Sequence, residues 1–84
     1  MTDMQVKVSF YSYFKDLAGC DHTSEEVVAG TRLGDLVSQL LVRFPQLEPM
    51  KKSMLVAVGV DYQDRHYALK ENDEVSLFPP VQGG

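Results

Sequence analysis

The residues best suited to chemistry stand at the end of the chain, where Gly83-Gly84 follow the apolar, proline-stiffened run Phe78-Pro79-Pro80-Val81-Gln82. Neither glycine carries a Cβ, so a carboxylate on Gly84 can thread a channel too narrow for any other residue. An α-carboxyl ionises with an ordinary pKa of about 3.3–3.7, and at neutral pH such an end presents an uncrowded carboxylate, a substrate for activation chemistry. Glycine pairs are common at chain ends and usually carry no meaning there. Here no polar linker separates them from the strand-like residues before them. Pro79 and Pro80 fix φ and remove two backbone donors, so the segment is expected to leave the sheet edge extended. Four residues beyond Pro80 reach at most ~14 Å, enough to carry a reacting carboxylate into a partner's buried pocket. Stiffness at the base lowers the entropy lost on insertion.

The other candidates are weaker. Cys20 lies in an expected turn with no histidine or basic cluster beside it to activate the thiol, and reads as inert. His22 and His66 are far apart and lack ligand spacing, so no metal site is expected. Glu25-Glu26 and the acidic run from Glu71 to Glu74 read as solvated faces, or as docking points for a basic partner, and Lys51-Lys52 as a loop charge pair. There is no glycine-rich phosphate loop, nucleophile elbow or paired-carboxylate arrangement. The expected role is that of a non-catalytic carrier or binding module.

Those residues must be held by a small fold. With 84 residues the chain makes one domain, 1–84, that buries roughly 60–68% of its unfolded surface, too little for a deep catalytic cleft. The net charge of −4, from 12 acidic and 8 basic residues without a basic block, argues against nucleic acid and anionic membranes. A single cysteine excludes an internal disulfide framework and fits a reducing, cytoplasmic compartment. No stretch approaches the ~20 apolar residues of a membrane span, and the first residues lead into strand alternation rather than a signal core.

Along the chain, Met4, Val6, Val8 and Phe10 share one face of a strand over 4–11, with Gln5, Lys7, Ser9 and Tyr11 on the other. A short helical turn over 13–18 closes on Gly19. The polar run 23–28 reads as an edge strand. Thr31 is the expected N-cap of a helix over 32–44, whose stripe Leu33, Leu36, Val37, Leu40, Leu41 and Phe44 is spaced to cover a sheet, and Pro45 stops it. Residues 46–53 form a loop, 54–60 a central apolar strand, 61–64 a turn, and 65–67 a short strand pairing back. Asn72-Asp73 supplies a turn before the last strand, 74–78, in which Val75 and Leu77 point inward and Phe78 outward. The order is α+β: a mixed five-stranded sheet covered by one main helix, the β-grasp order of ubiquitin-like proteins.

Three aromatics fall on the solvent side: Tyr11 by alternation, Phe78 likewise, and Tyr62 at a hairpin tip. If the first and last strands are neighbours, these residues form an apolar patch at the root of the tail, the kind of surface that marks a protein contact.

With these residues in place, the chain resembles the ubiquitin-like sulfur carriers that form the small subunits of molybdopterin synthases. The ending Asp73-Glu-Val-Ser-Leu-Phe-Pro-Pro-Val-Gln-Gly-Gly84 is similar to that family's acidic turn, strand, double proline and terminal glycines; weaker similarity lies at 6–8, 15–19 and 55–58. The resemblance implies that Gly84 is adenylated by an activating enzyme of the ubiquitin-activating type, which uses ATP, and then converted to a thiocarboxylate. Gly83 would be its slender neighbour, and no cofactor would be held stably. It implies that Tyr11, Tyr62, Phe78, Pro79, Pro80 and Val81 meet the synthase large subunit in a heterotetramer, and that the sulfur passes to cyclic pyranopterin monophosphate. The chemistry needs no catalytic side chain from the carrier: a carboxylate attacks the α-phosphate of ATP, a sulfur nucleophile displaces AMP, and partner enzymes supply orientation. Family members often carry Arg at the position of Lys15, and Asn-Gln or Asn-Glu at Gly59-Val60. A related carrier for thiamin thiazole, tRNA thiolation or another thio-metabolite, or a protein modifier conjugated through Gly84, are the competing expectations.

Overall fold

The computed structural model describes residues 3–80. The alternating start becomes β1 (Asp3–Phe10), with Met4, Val6, Val8 and Phe10 buried. Helix α1 (Phe14–Ala18) ends on Gly19 at φ 80°, the left-handed conformation that glycine adopts without a Cβ clash. Then follow β2 (His22–Val28), α2 (Leu33–Arg43), a 3-10 turn over Pro45–Met50, β3 (Leu55–Val58), β4 (Asp61–Tyr62) and β5 (Glu74–Phe78). The strands form one sheet in the order β2-β1-β5-β3-β4, with β1 and β5 parallel and every other pair antiparallel. This is the mixed five-stranded α+β architecture expected, with β2 at an edge and the first and last strands adjacent.

The stripe on α2 does what its spacing requires. Leu33, Leu36, Val37, Leu40 and Leu41 are buried and share one core with Val6, Val8, Val56, Val75 and Leu77. Burial of each such side chain contributes about 1.5–3 kcal/mol. Phe44 packs its ring edge-on against Phe10, with centroids 5.3 Å apart.

Several local expectations are corrected. Arg32, not Thr31, is the N-cap of α2. Its N–H donates to the Asp35 carboxylate at 3.3 Å, while the Thr31 hydroxyl turns back to the Val28 carbonyl. The expected loop after the helix contains the 3-10 turn, initiated by Pro45 in its first turn. The central strand stops at Val58, because Gly59 at φ 63° opens a two-residue turn with Val60, the glycine-first pattern of a type II′ hairpin. Tyr62 is therefore a strand residue opposite Ala57 rather than a hairpin tip.

Residues 65–67 are not a strand. The first N–H groups of a helix have no partners within it, and here Leu33 and Gly34 donate to the Tyr67 and Arg65 carbonyls at 2.8 and 2.9 Å. The segment's backbone is thus engaged at the end of α2. This approach explains Gly34: a Cβ there would lie 3.1 Å from the Arg65 Cβ and 3.2 Å from the Arg65 carbonyl oxygen. The contact opposes the roughly 1 kcal/mol that alanine ordinarily gains over glycine inside a helix.

Glu25 is not part of a solvated face. It points inward from β2 beside Val6 and Val27, is 4% exposed, and accepts hydrogen bonds from Gln39 at 2.7 Å and from Arg43, both on α2. A charge pointing inward from an edge strand also discourages edge-to-edge pairing with another chain.

Candidate functional site

The face of the sheet turned away from α2 divides into two halves. Register places Asp3, Gln5, Lys7 and Ser9 on it beside Val28, Glu26, Ser24 and His22, a mostly polar half. The other half is apolar. Phe78 lies opposite Leu55, and Ala57 lies between Ser76 and Tyr62.

The three sequence-predicted aromatics meet there. The Tyr11 and Phe78 rings stack with centroids 4.7 Å apart and planes 14° from parallel, while Tyr62 meets Phe78 edge-on at 6.3 Å and 73°. Both are favourable quadrupole geometries, each worth about 0.5–1.5 kcal/mol beyond area burial. Phe78 is half-buried between its neighbours, whereas Tyr11 and Tyr62 remain 43% and 67% exposed. Half-buried Leu55 extends this surface and Ala57, buried beside Tyr62, underlies it; both were missed by sequence reasoning. Their signal was present: in the run 54–60 both strand faces are apolar, so one set of side chains had to point away from the helix.

The tail root lies at the centre of the sheet, not at its edge. β5 is flanked by β1 and β3, and the Tyr11 N–H donates to the Leu77 carbonyl at 3.2 Å near the end of the β1 ladder. Pro79 and Pro80, both half-buried, then contribute no N–H to either neighbour. Val81, Gly83 and Gly84 lie outside the described residues.

The opposite end of β5 is fixed by the turn before it. Asn72 adopts φ 67°. Its N–H donates to the Gln5 carbonyl, and the Asp73 carbonyl accepts from the Lys7 N–H, both at 2.9 Å. The Asp73 carboxylate accepts from the Lys70 N–H at 2.9 Å and the Tyr67 hydroxyl at 3.1 Å. Burial, together with the hydrogen bond to and charge of Asp73, raises the Tyr67 phenol above its ordinary pKa and keeps it a neutral donor. Glu71 also has a structural task, accepting the Gln5 N–H at 3.1 Å. The acidic run is thus in part the fastening of β5 to β1.

The remaining candidates are not gathered into this site. Cys20 is a free thiol, partly buried against the core. His22, His66, Lys51 and Lys52 are exposed. Among the described residues, no three His, Cys, Asp or Glu side chains are grouped to hold a metal ion, and no helix is long and apolar enough to cross a membrane. What the described residues build is a partly exposed aromatic cluster beside the end of β5.

Comparison with known proteins adds four findings. The ThiS family profile matches residues 8–84. The molybdopterin synthase sulfur carrier subunit of Chlamydomonas reinhardtii is 33% identical, over 96% of this chain and all of the relative. Among solved structures, a Pyrococcus furiosus protein described as subunit 1 of a molybdopterin converting factor superposes with a TM-score of 0.86 at 29% identity, covering 93% of this chain and 99% of the other. The Helicobacter pylori complex of subunits 1 and 2 of molybdopterin-converting factor contains the same fold, with a TM-score of 0.67 at 24% identity over 96% of this chain and 100% of the matched one.

Proposed function

The chain belongs to the ThiS family, and on that premise we propose that it is the sulfur carrier subunit of a molybdopterin synthase. Gly84 is the residue that carries the cargo. Its carboxylate attacks the α-phosphate of ATP in an activating enzyme of the ubiquitin-activating type, releasing pyrophosphate and forming an acyl-adenylate. A sulfur nucleophile then displaces AMP, and the resulting thiocarboxylate is delivered to cyclic pyranopterin monophosphate inside the large subunit. The carrier holds no cofactor, and the ATP is a substrate of its partner.

The single observation carrying this reading is the aromatic surface of Tyr11, Phe78 and Tyr62 at the point where β5 ends in two prolines. An apolar patch beside the departing segment lets the partner grip the fold while the last residues enter its active site. Gly83 gives the end a cross-section small enough for a narrow channel, and Pro79, Pro80 and Val81 line the entry. The large subunit is the docking partner, by analogy with the H. pylori complex of subunits 1 and 2, in the heterotetramer that the family resemblance implies.

Thiocarboxylated protein mixed with the large subunit and cyclic pyranopterin monophosphate is expected to yield molybdopterin, detected as its fluorescent oxidation product. Active carrier with no pterin conversion would move the assignment to a related carrier for thiamin thiazole, tRNA thiolation or another thio-metabolite. Accumulation of lysine conjugates through Gly84 would make it a protein modifier.

A further inference from the structure

Directly beside the aromatic cluster the backbone adopts a conformation that its residue type disfavours. Ser12 has φ 57°, in the left-handed region that glycine enters freely and a residue bearing a Cβ does not. It is the first central residue of the turn 11–14, closed by the Phe14 N–H donating to the Tyr11 carbonyl at 3.1 Å. Tyr13, the second central residue, has φ −70° and ψ −7°. Positive φ followed by negative φ is the type II′ pattern, in which glycine ordinarily takes the first place. The other described non-glycine residue at positive φ is Asn72, a type that tolerates this region.

What this turn fixes is Tyr11. β1 ends at Phe10, so Tyr11 stands one residue beyond the strand. Its N–H donates to the Leu77 carbonyl at 3.2 Å, and its carbonyl is held by the bond that closes the turn. Phe10 and Phe14, on either side, are buried in the core, whereas Tyr11 is exposed and leans on Phe78. Core packing therefore anchors the two ends of the segment and holds Ser12 at its strained φ. The placing of Tyr11 is left to the turn's own geometry: relaxation of Ser12 to negative φ would open the bond between Tyr11 and Phe14 and turn the ring away from Phe78.

Building on the proposed function, in which the aromatic cluster docks on the large subunit, we infer that Ser12 is a positioning residue whose left-handed turn sets the Tyr11 ring against Phe78 for that contact. Ser12 acts through Tyr11 and not by touching the partner. Only molecules with the turn closed present the complete surface, so the apparent Kd rises as their fraction falls. Affinity should then follow how readily residue 12 holds positive φ.

The test measures the Kd of the full chain for the recombinant large subunit of the same organism, well below each variant's urea midpoint, for wild type, Ser12→Gly, Ser12→Ala, Ser12→Thr, Ser12→Val and Phe78→Asp. Ser12→Val, β-branched and poorly suited to positive φ, is expected to weaken binding about tenfold, and Ser12→Thr about threefold. Ser12→Ala keeps the Cβ without the hydroxyl and should stay within about twofold of wild type. Ser12→Gly should bind at least as tightly and resist urea at least as well. The NMR ring-current shift of Tyr11 caused by Phe78 should shrink with Thr and Val and persist with Gly and Ala, a signature that lost core stability alone would not give. If Ser12→Val does not fold, Ser12→Thr carries the same comparison. If Phe78→Asp weakens the complex while the folded β-branched variants bind like wild type, the inference fails and the functional reading stands. If Gly and Ala at position 12 weaken binding as much as Thr, the hydroxyl is itself the contact and the positioning role is overturned. If Phe78→Asp also binds like wild type, the docking surface is wrong and the inference falls with it.

Discussion

Removing Gly83 and Gly84 is expected to reduce sulfur transfer to background while leaving the fold intact. Among the described residues, the buried core runs from Met4 to Leu77, so the shortened protein should retain its unfolding midpoint. The reacting atom would be lost, because truncation leaves Gln82 with a side chain beside the new carboxylate. Docking should persist, since Tyr11, Tyr62 and Phe78 are untouched, and the truncated chain should compete with wild type for the large subunit. Pterin conversion, binding and thermal unfolding together separate loss of chemistry from loss of structure. Retention of conversion would remove the terminal glycine from the mechanism.

Phe78→Asp should have the second largest effect. Phe78 joins Tyr11 by stacking and Tyr62 edge-on, so the substitution breaks both ring pairs and places a carboxylate in a surface that must be desolvated on docking. Loss of a central aromatic anchor ordinarily costs 2 kcal/mol or more, and with the added charge roughly a hundredfold or greater weakening of Kd is expected. The fold should survive with a loss of about 1–2 kcal/mol, because the ring is half-buried on the outer face and the inward Val75 and Leu77 are unaffected. Calorimetric titration with the large subunit, alongside urea unfolding, distinguishes the two effects. Equal losses in binding and stability would make Phe78 a structural residue.

Features that depend on local pattern were legible in the sequence. The helical stripe from Leu33 to Phe44, glycine at the end of α1, the turn at Asn72 and the alternation of β1 and β5 each follow from a residue's own geometry or from regular spacing. The meeting of Tyr11 and Phe78 followed once the first and last strands were taken as neighbours. Features that depend on remote backbone groups were not legible. Residues 65–67 have the composition of a strand, but their carbonyls accept the N–H groups at the start of α2. Glu25 looks like a surface acid until Arg43 and Gln39 are known to lie above it. Leu55 and Ala57 could not be assigned to a face within a wholly apolar run, and the tail could be placed at the sheet centre only when β3 was known to flank β5.

Sulfur on Gly84 is the central claim, and intact-mass spectrometry after incubation with the activating enzyme, ATP and a sulfur donor tests it most directly. The account predicts a mass gain equal to replacement of one oxygen by one sulfur, confined to the C-terminal peptide and absent without ATP. An unchanged mass under conditions where the enzyme consumes ATP on this carrier, or sulfur found on Cys20 instead, would contradict it.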